Sequence, residues 1–250
     1  MELSRYLDCL HADGDLLART AGRSLAATVP CCPGWTVRDV VLHVAAVYQH
    51  KVATIRRKDR RPETGEWPTE PPSGVAPIPW FEESLSLLLT EFAENPPDTK
   101  CWTWYEPEQD VAFWCRRMAH ETAVHRVDVE QAFGESAPVP TDLAIDGIDE
   151  LLERMLAYDW FNEAVDGHGE SVLIDAGDHQ WLMRLAEREI GFERAPVAGS
   201  EAGAGVTVRG EPEKLYLWLW GRLPISHLTV AGDGKLARKL REHYVTAATQ

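Results

Sequence analysis

Apolar runs long enough to cross a bilayer are missing. No stretch approaches the roughly 20 consecutive residues that a membrane helix needs, and the start, Met1-Glu2-Leu3-Ser4-Arg5, has no hydrophobic signal segment. A cytoplasmic protein with no membrane partner is expected. Basic charge is in short supply as well. Against 40 Asp and Glu stand 25 Lys and Arg, giving a net charge of −15 and a pI near 5.0. Such a field repels phosphates, which argues against nucleic acid or an anionic lipid surface as the main partner. Small molecules fit better. Cysteine is sparse and unpatterned: Cys9, Cys31, Cys32, Cys101 and Cys115 make an odd number with no Cys-x-x-Cys pair. Neither a disulfide framework nor a four-cysteine zinc site is expected. Internal repeats and low-complexity tracts are absent too.

What the chain does have is length, tryptophan and helical periodicity. At 250 residues it can bury one large core or two smaller ones, and its ten tryptophans must line an interior or a cleft. Leu3, Tyr6, Leu7, Leu10, Leu16, Leu17 and Leu25 predict a first amphipathic helix over about 3–27, weakened locally by Gly14. Pro30-Cys31-Cys32-Pro33-Gly34 interrupts it. Thr36 is then an N-cap with Asp39 at N3, opening a second helix to about residue 58, where Arg56-Arg57-Lys58 suits a helix C-terminus. The span from Arg61 to Pro79 holds six prolines and reads as a loop or lid, with Trp67 as a cleft cover. A third helix follows from about Pro79 to Glu94 and a fourth from about Val111 to Phe133, with Gly134 as its C′ residue. Four helices with one long crossover describe a four-helix bundle.

After Pro138-Val139-Pro140 the pattern changes. A helix over about Leu143 to Glu163 is followed by β-like runs at 172–174, 181–185 and 205–209. A helix opened by Glu211-Pro212, a strand at 228–232 and a helix over 235–246 complete a small α+β domain. The expected organisation is therefore a helical domain over 1–140 and an α+β domain over 141–250.

Two ionisable side chains break the pattern of the fourth helix. Its apolar stripe runs through Val111, Trp114, Cys115, Met118, Thr122 and Val129, and Glu121 and His125 fall inside it. Residues four apart on a helix point in nearly the same direction, so this carboxylate and imidazole converge. A divalent cation between them would offset the cost of burying the carboxylate. A Glu and His bonded to each other and to water would satisfy the same spacing. The second helix adds an inward histidine, since Val37, Val40, Val41, Val44 and Tyr48 mark its apolar face and His43 flanks them. His43, Glu121 and His125 make a two-histidine, one-carboxylate set, which leaves a coordination position open as catalytic zinc sites do.

Other candidates carry competing readings. Asp128 lies one heptad beyond Glu121 and either supports the ligands, pairs with Arg126 or is solvated. His50 shares the face of His43 but lies about 10 Å further along the axis, so it lines the cleft or is exposed. His120 points away from His125 and is left out of the set. Cys31-Cys32 is either a reactive thiol pair at a helix entrance or loop packing. The spacing of His120, Glu121 and His125 excludes the His-Glu-x-x-His metalloprotease motif.

Three segments together carry a resemblance: Cys32-Pro33-Gly34-Trp35-Thr36-Val37-Arg38-Asp39-Val40-Val41-Leu42-His43, Met118-Ala119-His120-Glu121-Thr122-Ala123-Val124-His125-Arg126-Val127-Asp128, and Leu219-Trp220-Gly221-Arg222. The sequence resembles the mycothiol-dependent maleylpyruvate isomerase family over nearly its whole length. The resemblance implies a DinB-like metal-binding bundle followed by a domain like the sterol carrier proteins. It implies that His43, Glu121 and His125 hold a divalent metal, zinc in the characterised isomerase, and that Arg222 reaches toward the active site from the second domain. It further implies mycothiol as the thiol cosubstrate and a small electrophile as its partner. A thiol activated at an open metal position adds to a cis-enedioate, the new single bond rotates, and elimination gives the trans isomer. The same thiolate could open an epoxide or displace a halide, as an S-transferase does. Two non-catalytic alternatives remain open at this stage: a binding protein with an apolar tunnel among Trp181, Leu215, Leu217, Trp218 and Trp220, and a protein that sequesters or senses metal.

Overall fold

A computed structural model of the chain describes residues 1–58, 60–158, 167–187, 189–195 and 204–248. The chain divides into two compact units, Met1–Pro138 and Val139–Gln250. Among the described residues no helix is long and apolar enough to cross a membrane.

The first unit is a bundle of α1 (Leu3–Ala21), α2 (Val37–Arg57), α3 (Pro77–Glu94) and α4 (Val111–Gln131). The first helix stops six residues short of its expected end, and the reason lies in the next one. A helix N-terminus leaves amides without intrahelical partners. Here the Val37 and Arg38 amides donate to the carbonyls of Ala27 and Leu25, both at 2.9 Å. Residues 25 to 29 are thereby held across the mouth of α2. The expected cap is present, since the Thr36 hydroxyl and amide donate to Asp39 Oδ2 at 2.6 and 2.8 Å, and these bonds hold the Asp39 carboxyl below its ordinary range. Gly14, expected only to weaken α1, lies where that helix meets α3: a Cβ built there would sit 2.5 Å from a Leu85 methyl.

The fourth helix forms the middle of the bundle. Its whole length is enclosed, so polar residues as well as the apolar stripe are buried, among them Arg116, Arg117, Arg126, Asp128 and Glu130. Burying these charges requires close partners. Arg126 donates to Asp13 of α1 at 3.0 Å, to Glu130 at 2.7 Å and to the Ala137 carbonyl at 2.6 Å. Gly134, expected as the C′ residue, takes a left-handed φ of 74° just past the helix end.

The second unit carries a five-stranded mixed sheet of β1 (Glu170–Asp175), β2 (Gln180–Leu185), β3 (Ile190–Ala195), β4 (Val206–Arg209) and β5 (Thr229–Gly232), in the order β3-β2-β1-β4-β5. The β1/β4 pair is parallel and the others antiparallel. With α5 (Thr141–Glu150), α6 (Pro212–Leu219) and α7 (Gly234–Ala248) it makes an α+β fold. The helix expected over 143–163 is shorter in its α-form. After Glu150 one wide turn, Leu151–Leu156, ends with the Ala157 amide bonding the Leu152 carbonyl, and the expected continuation through Trp160 lies outside the described residues. The side chains proposed to line an apolar tunnel, Trp181, Leu215, Leu217, Trp218 and Trp220, are themselves packed into the interior.

Candidate metal centre

Two helices of the first unit bring three donors to one point. His43 projects from the second turn of α2, while Glu121 and His125 lie one turn apart on α4. Glu121 Oε1 is 3.4 Å from His43 Nε2 and 3.3 Å from His125 Nε2, and one donor atom from each residue lies within 4.8 Å of the others. Those separations suit a shared cation as well as direct hydrogen bonds. With metal–nitrogen and metal–oxygen distances of about 2.0–2.2 Å, the edge of a tetrahedral ligand set is about 3.3–3.5 Å. Two of the three edges therefore match without any movement. The Glu121 side chain is 18% exposed and His125 10%, whereas His43 is 39% exposed, so the set is open to its surroundings on the α2 side.

Each donor is aimed by a neighbour. His125 Nδ1 donates to Asp128 Oδ2 at 2.8 Å, which leaves Nε2 for the common point. Asp128 itself is fully buried, so it is neither solvated nor the partner of Arg126. The far oxygen of Glu121 accepts from Arg117 Nη2 at 3.1 Å. Trp35 packs its ring 5.2 Å from the His43 ring and stacks at 6.5 Å on His125. Its own backbone closes the preceding loop, since the Val29 amide donates to the Trp35 carbonyl and the Trp35 amide to the Cys32 carbonyl, both at 3.0 Å.

Family comparisons cover both units of the chain. Residues 7–130 match the family described as Mycothiol maleylpyruvate isomerase N-terminal domain, and residues 142–239 match the MDMPI C-terminal domain. The chain belongs to the mycothiol maleylpyruvate isomerase family. Two crystal structures of the mycothiol-dependent maleylpyruvate isomerase share the fold of this family member. One matches at a TM-score of 0.60 with 15% identity, and a histidine-to-alanine mutant matches at 0.62 with 14% identity; each comparison covers 92% of this chain and 93% of the other. No curated protein matches it.

The electrostatics of the site favour a cation. Burial alone would raise the Glu121 pKa, but hydrogen bonds from His125 and His43 and the charges of His125 and Arg117 bring it well below the ordinary range. Burial pulls the other way on His125, yet its bonds to Asp128 and Glu121 raise it to about 9. Two carboxylates thus favour positive charge at His125, and a metal bound at Nε2 would have to displace the proton there.

Beyond the ligand set lies a cluster of cations and aromatic rings. The half-buried Lys51 donates to His50 Nδ1 at 2.9 Å and holds its ammonium 4.0 Å from the Trp114 ring centroid. Burial, with Arg117 and Arg61 nearby, lowers the Lys51 pKa to about 7 against the opposing pull of Glu121. His50 is not the exposed helix histidine that its position suggested. Its ring meets Trp67 at 4.5 Å, and burial with the Lys51 and Arg61 charges pushes its pKa down to about 3. Arg61 lies 5.7 Å over Trp102. The proline-rich segment, expected as a loop or lid with Trp67 as cleft cover, thereby supplies Trp67 and Arg61 to this cluster.

His120, excluded from the set by its direction, is buried with its ring 6.2 Å from Tyr6 of α1. Arg222 follows α6 in the second unit and donates from Nη1 to the Trp220 carbonyl at 2.6 Å. The sequence reading missed Arg117 and Lys51. Arg117 stands four residues before Glu121, a spacing that pairs side chains on a helix and could have flagged it. Lys51 carried no such signal, because its neighbours beyond His50 come from α4 (Trp114, Arg117 and Glu121) and from the loop before α3 (Arg61).

Proposed function

We propose that this protein is a metal-dependent enzyme that uses a low-molecular-weight thiol, mycothiol by its family, to act on a small anionic electrophile. The observation that carries the reading is the pair of 3.3 and 3.4 Å separations around Glu121 Oε1, which suit a tetrahedral ligand set of His43, Glu121 and His125. Zinc is the cation that best suits two imidazoles and a carboxylate with one position open. When bound, such a cation supplies Lewis acidity that keeps a thiol ionised at neutral pH.

The side chains of this chain do the rest. Asp128 fixes the His125 ring and keeps Nε2 directed at the shared point. Arg117 holds Glu121 ionised and orients its second oxygen. Lys51, Arg61 and Arg117 give the neighbourhood a positive potential that draws a carboxylate-bearing substrate, against the net charge of −15 of the whole chain. Arg222 is assigned to a carboxylate of substrate or thiol, which a guanidinium binds through two parallel hydrogen bonds. The five free cysteines accord with a reducing, cytoplasmic setting.

The alternative of an apolar-ligand carrier is disfavoured, because the residues that would line its tunnel fill the core instead. Metal analysis of the purified chain and of its H43A, E121A and H125A variants tests the centre. Thiol accounting tests the chemistry. With a cis-enedioate and mycothiol, an isomerase forms trans product while the thiol is returned. An S-transferase consumes one thiol for each electrophile. Absence of both reactions across a panel of enedioates, epoxides and halides would refute the catalytic reading.

A further inference from the structure

The loop that precedes α2 places two thiols on the same carboxylate that orients His125. Cys31 Sγ donates to Asp128 Oδ1 at 3.0 Å and Cys32 Sγ to Oδ2 at 3.6 Å, and one donor atom from each of the three residues lies within 4.8 Å of the others. Both cysteines are half-buried and Asp128 is buried. Backbone bonds hold the loop in this arrangement. A bridge between Thr28 and Thr36 closes it at the base, the Cys32 amide donates to the Val29 carbonyl at 3.3 Å, and Pro30 and Pro33 flank the pair.

We propose that Cys31, Cys32 and Asp128 form a second cation site, selective for a thiophilic divalent ion such as Zn²⁺ or Cd²⁺. Two sulfurs and one carboxylate oxygen make a softer donor set than two imidazoles and a carboxylate. With metal–sulfur distances of about 2.3 Å, ligand edges of about 3.5–3.8 Å are required, so the Cys31 Sγ–Oδ1 separation of 3.0 Å opens by about half an ångström when the thiol proton gives way to a cation. Binding releases the two thiol protons to solvent and replaces two hydrogen bonds to Asp128 with one metal–oxygen bond at Oδ1. Oδ2 keeps its bond to His125 Nδ1. The two sites are therefore joined through one carboxylate, and a cation on the sulfur side draws charge from the group that makes His125 a good ligand.

The remaining cysteines cannot supply such a site. Cys9, Cys101 and Cys115 are at most 4% exposed, and burial pushes the thiols of Cys101 and Cys115 up to about 12. A thiolate signal on cadmium loading therefore reports Cys31 and Cys32.

The test is a Cd²⁺ titration of the full, metal-free chain, followed by stoichiometry and by the near-ultraviolet sulfur-to-cadmium charge-transfer band. The wild type is expected to take up two equivalents, with the band present. C31S/C32S is expected to keep one equivalent and lose the band, while H43A/H125A keeps one equivalent and retains it. A wild type that saturates without the band overturns the second site, whatever happens at the first. A band that survives in C31S/C32S does so equally. Loss of the equivalent assigned to His43 and His125, with the band intact, would instead refute only the centre described above. A readout without substitutions completes the test. In the native chain, Cd²⁺ should slow alkylation of the Cys31–Cys32 peptide by iodoacetamide at least tenfold, and an unchanged alkylation rate contradicts the proposal.

Discussion

At Asp128 one buried carboxylate serves the His125 imidazole and two thiols. Replacing it by Asn keeps the volume but removes the charge that makes His125 a strong donor. D128N is expected to weaken metal affinity by about 10–100-fold, measured by competition with a chromophoric chelator, while circular dichroism stays that of the wild type. Lys51 gives a second prediction. In the folded chain its pKa is about 7 instead of 10.5, set by burial and by the charges of Arg117, Arg61 and Glu121, with His50 as its hydrogen-bond acceptor. Unfolding returns the ammonium to water, so between those two values the unfolded chain binds the extra proton and stability rises with pH. Below about 7 the ammonium is charged in both states and its burial cost is carried in full. Denaturant unfolding of the metal-free chain between pH 7 and 10 should show a shallower rise for K51M than for wild type; equal slopes would contradict this role. In turnover, K51M should raise the KM for an anionic electrophile about tenfold and leave that for the thiol unchanged. His43, Glu121 and His125 were legible in the sequence because helical periodicity puts them on inward faces. The role of Asp128 stayed open among three readings, since whether it faces His125 or solvent depends on how the Cys31–Cys32 loop closes over α4.

Helix boundaries followed from caps and prolines wherever those were local. Thr36 with Asp39, Pro77 and Asn95 each stand at the end of an element that the sequence located to within two residues. Besides the α-form of α5, which stops at Glu150, two elements escaped it. The end of α1 is set by residues that turn away to cap α2, a long-range requirement with no mark on the α1 sequence. Strand β3 went unread because Glu189-Ile190-Gly191-Phe192-Glu193-Arg194 is short and charged, as suits an edge that must not pair with another chain. At the opposite edge, Gly232 pairs with Val206 at a φ of 101°, and a Cβ there would lie 2.5 Å from the Gly205 carbonyl oxygen. Backbone cannot yield as a flexible side chain can. Gly232→Ala should therefore cost about 2 kcal/mol or more, read as a lowered unfolding midpoint of the sheet, with metal content of the first unit unchanged.

For the whole molecule, the switch near Pro138 from period-3.6 stripes to alternating runs separated a bundle from an α+β unit, and the division at Pro138 and Val139 falls beside it. A cation that binds the folded bundle and not the unfolded chain must stabilise it. In C31S/C32S protein, zinc at about 100 times its dissociation constant should add about 2.7 kcal/mol, seen as a concentration-dependent rise in Tm that disappears when H43A/H125A is added. The most direct measurement is zinc titration of the metal-free C31S/C32S protein beside the same protein carrying H43A, E121A or H125A. One equivalent bound in the former and none in the latter is the predicted result. Zinc uptake that is absent in the former, or that persists after loss of any of the three donors, would contradict the account.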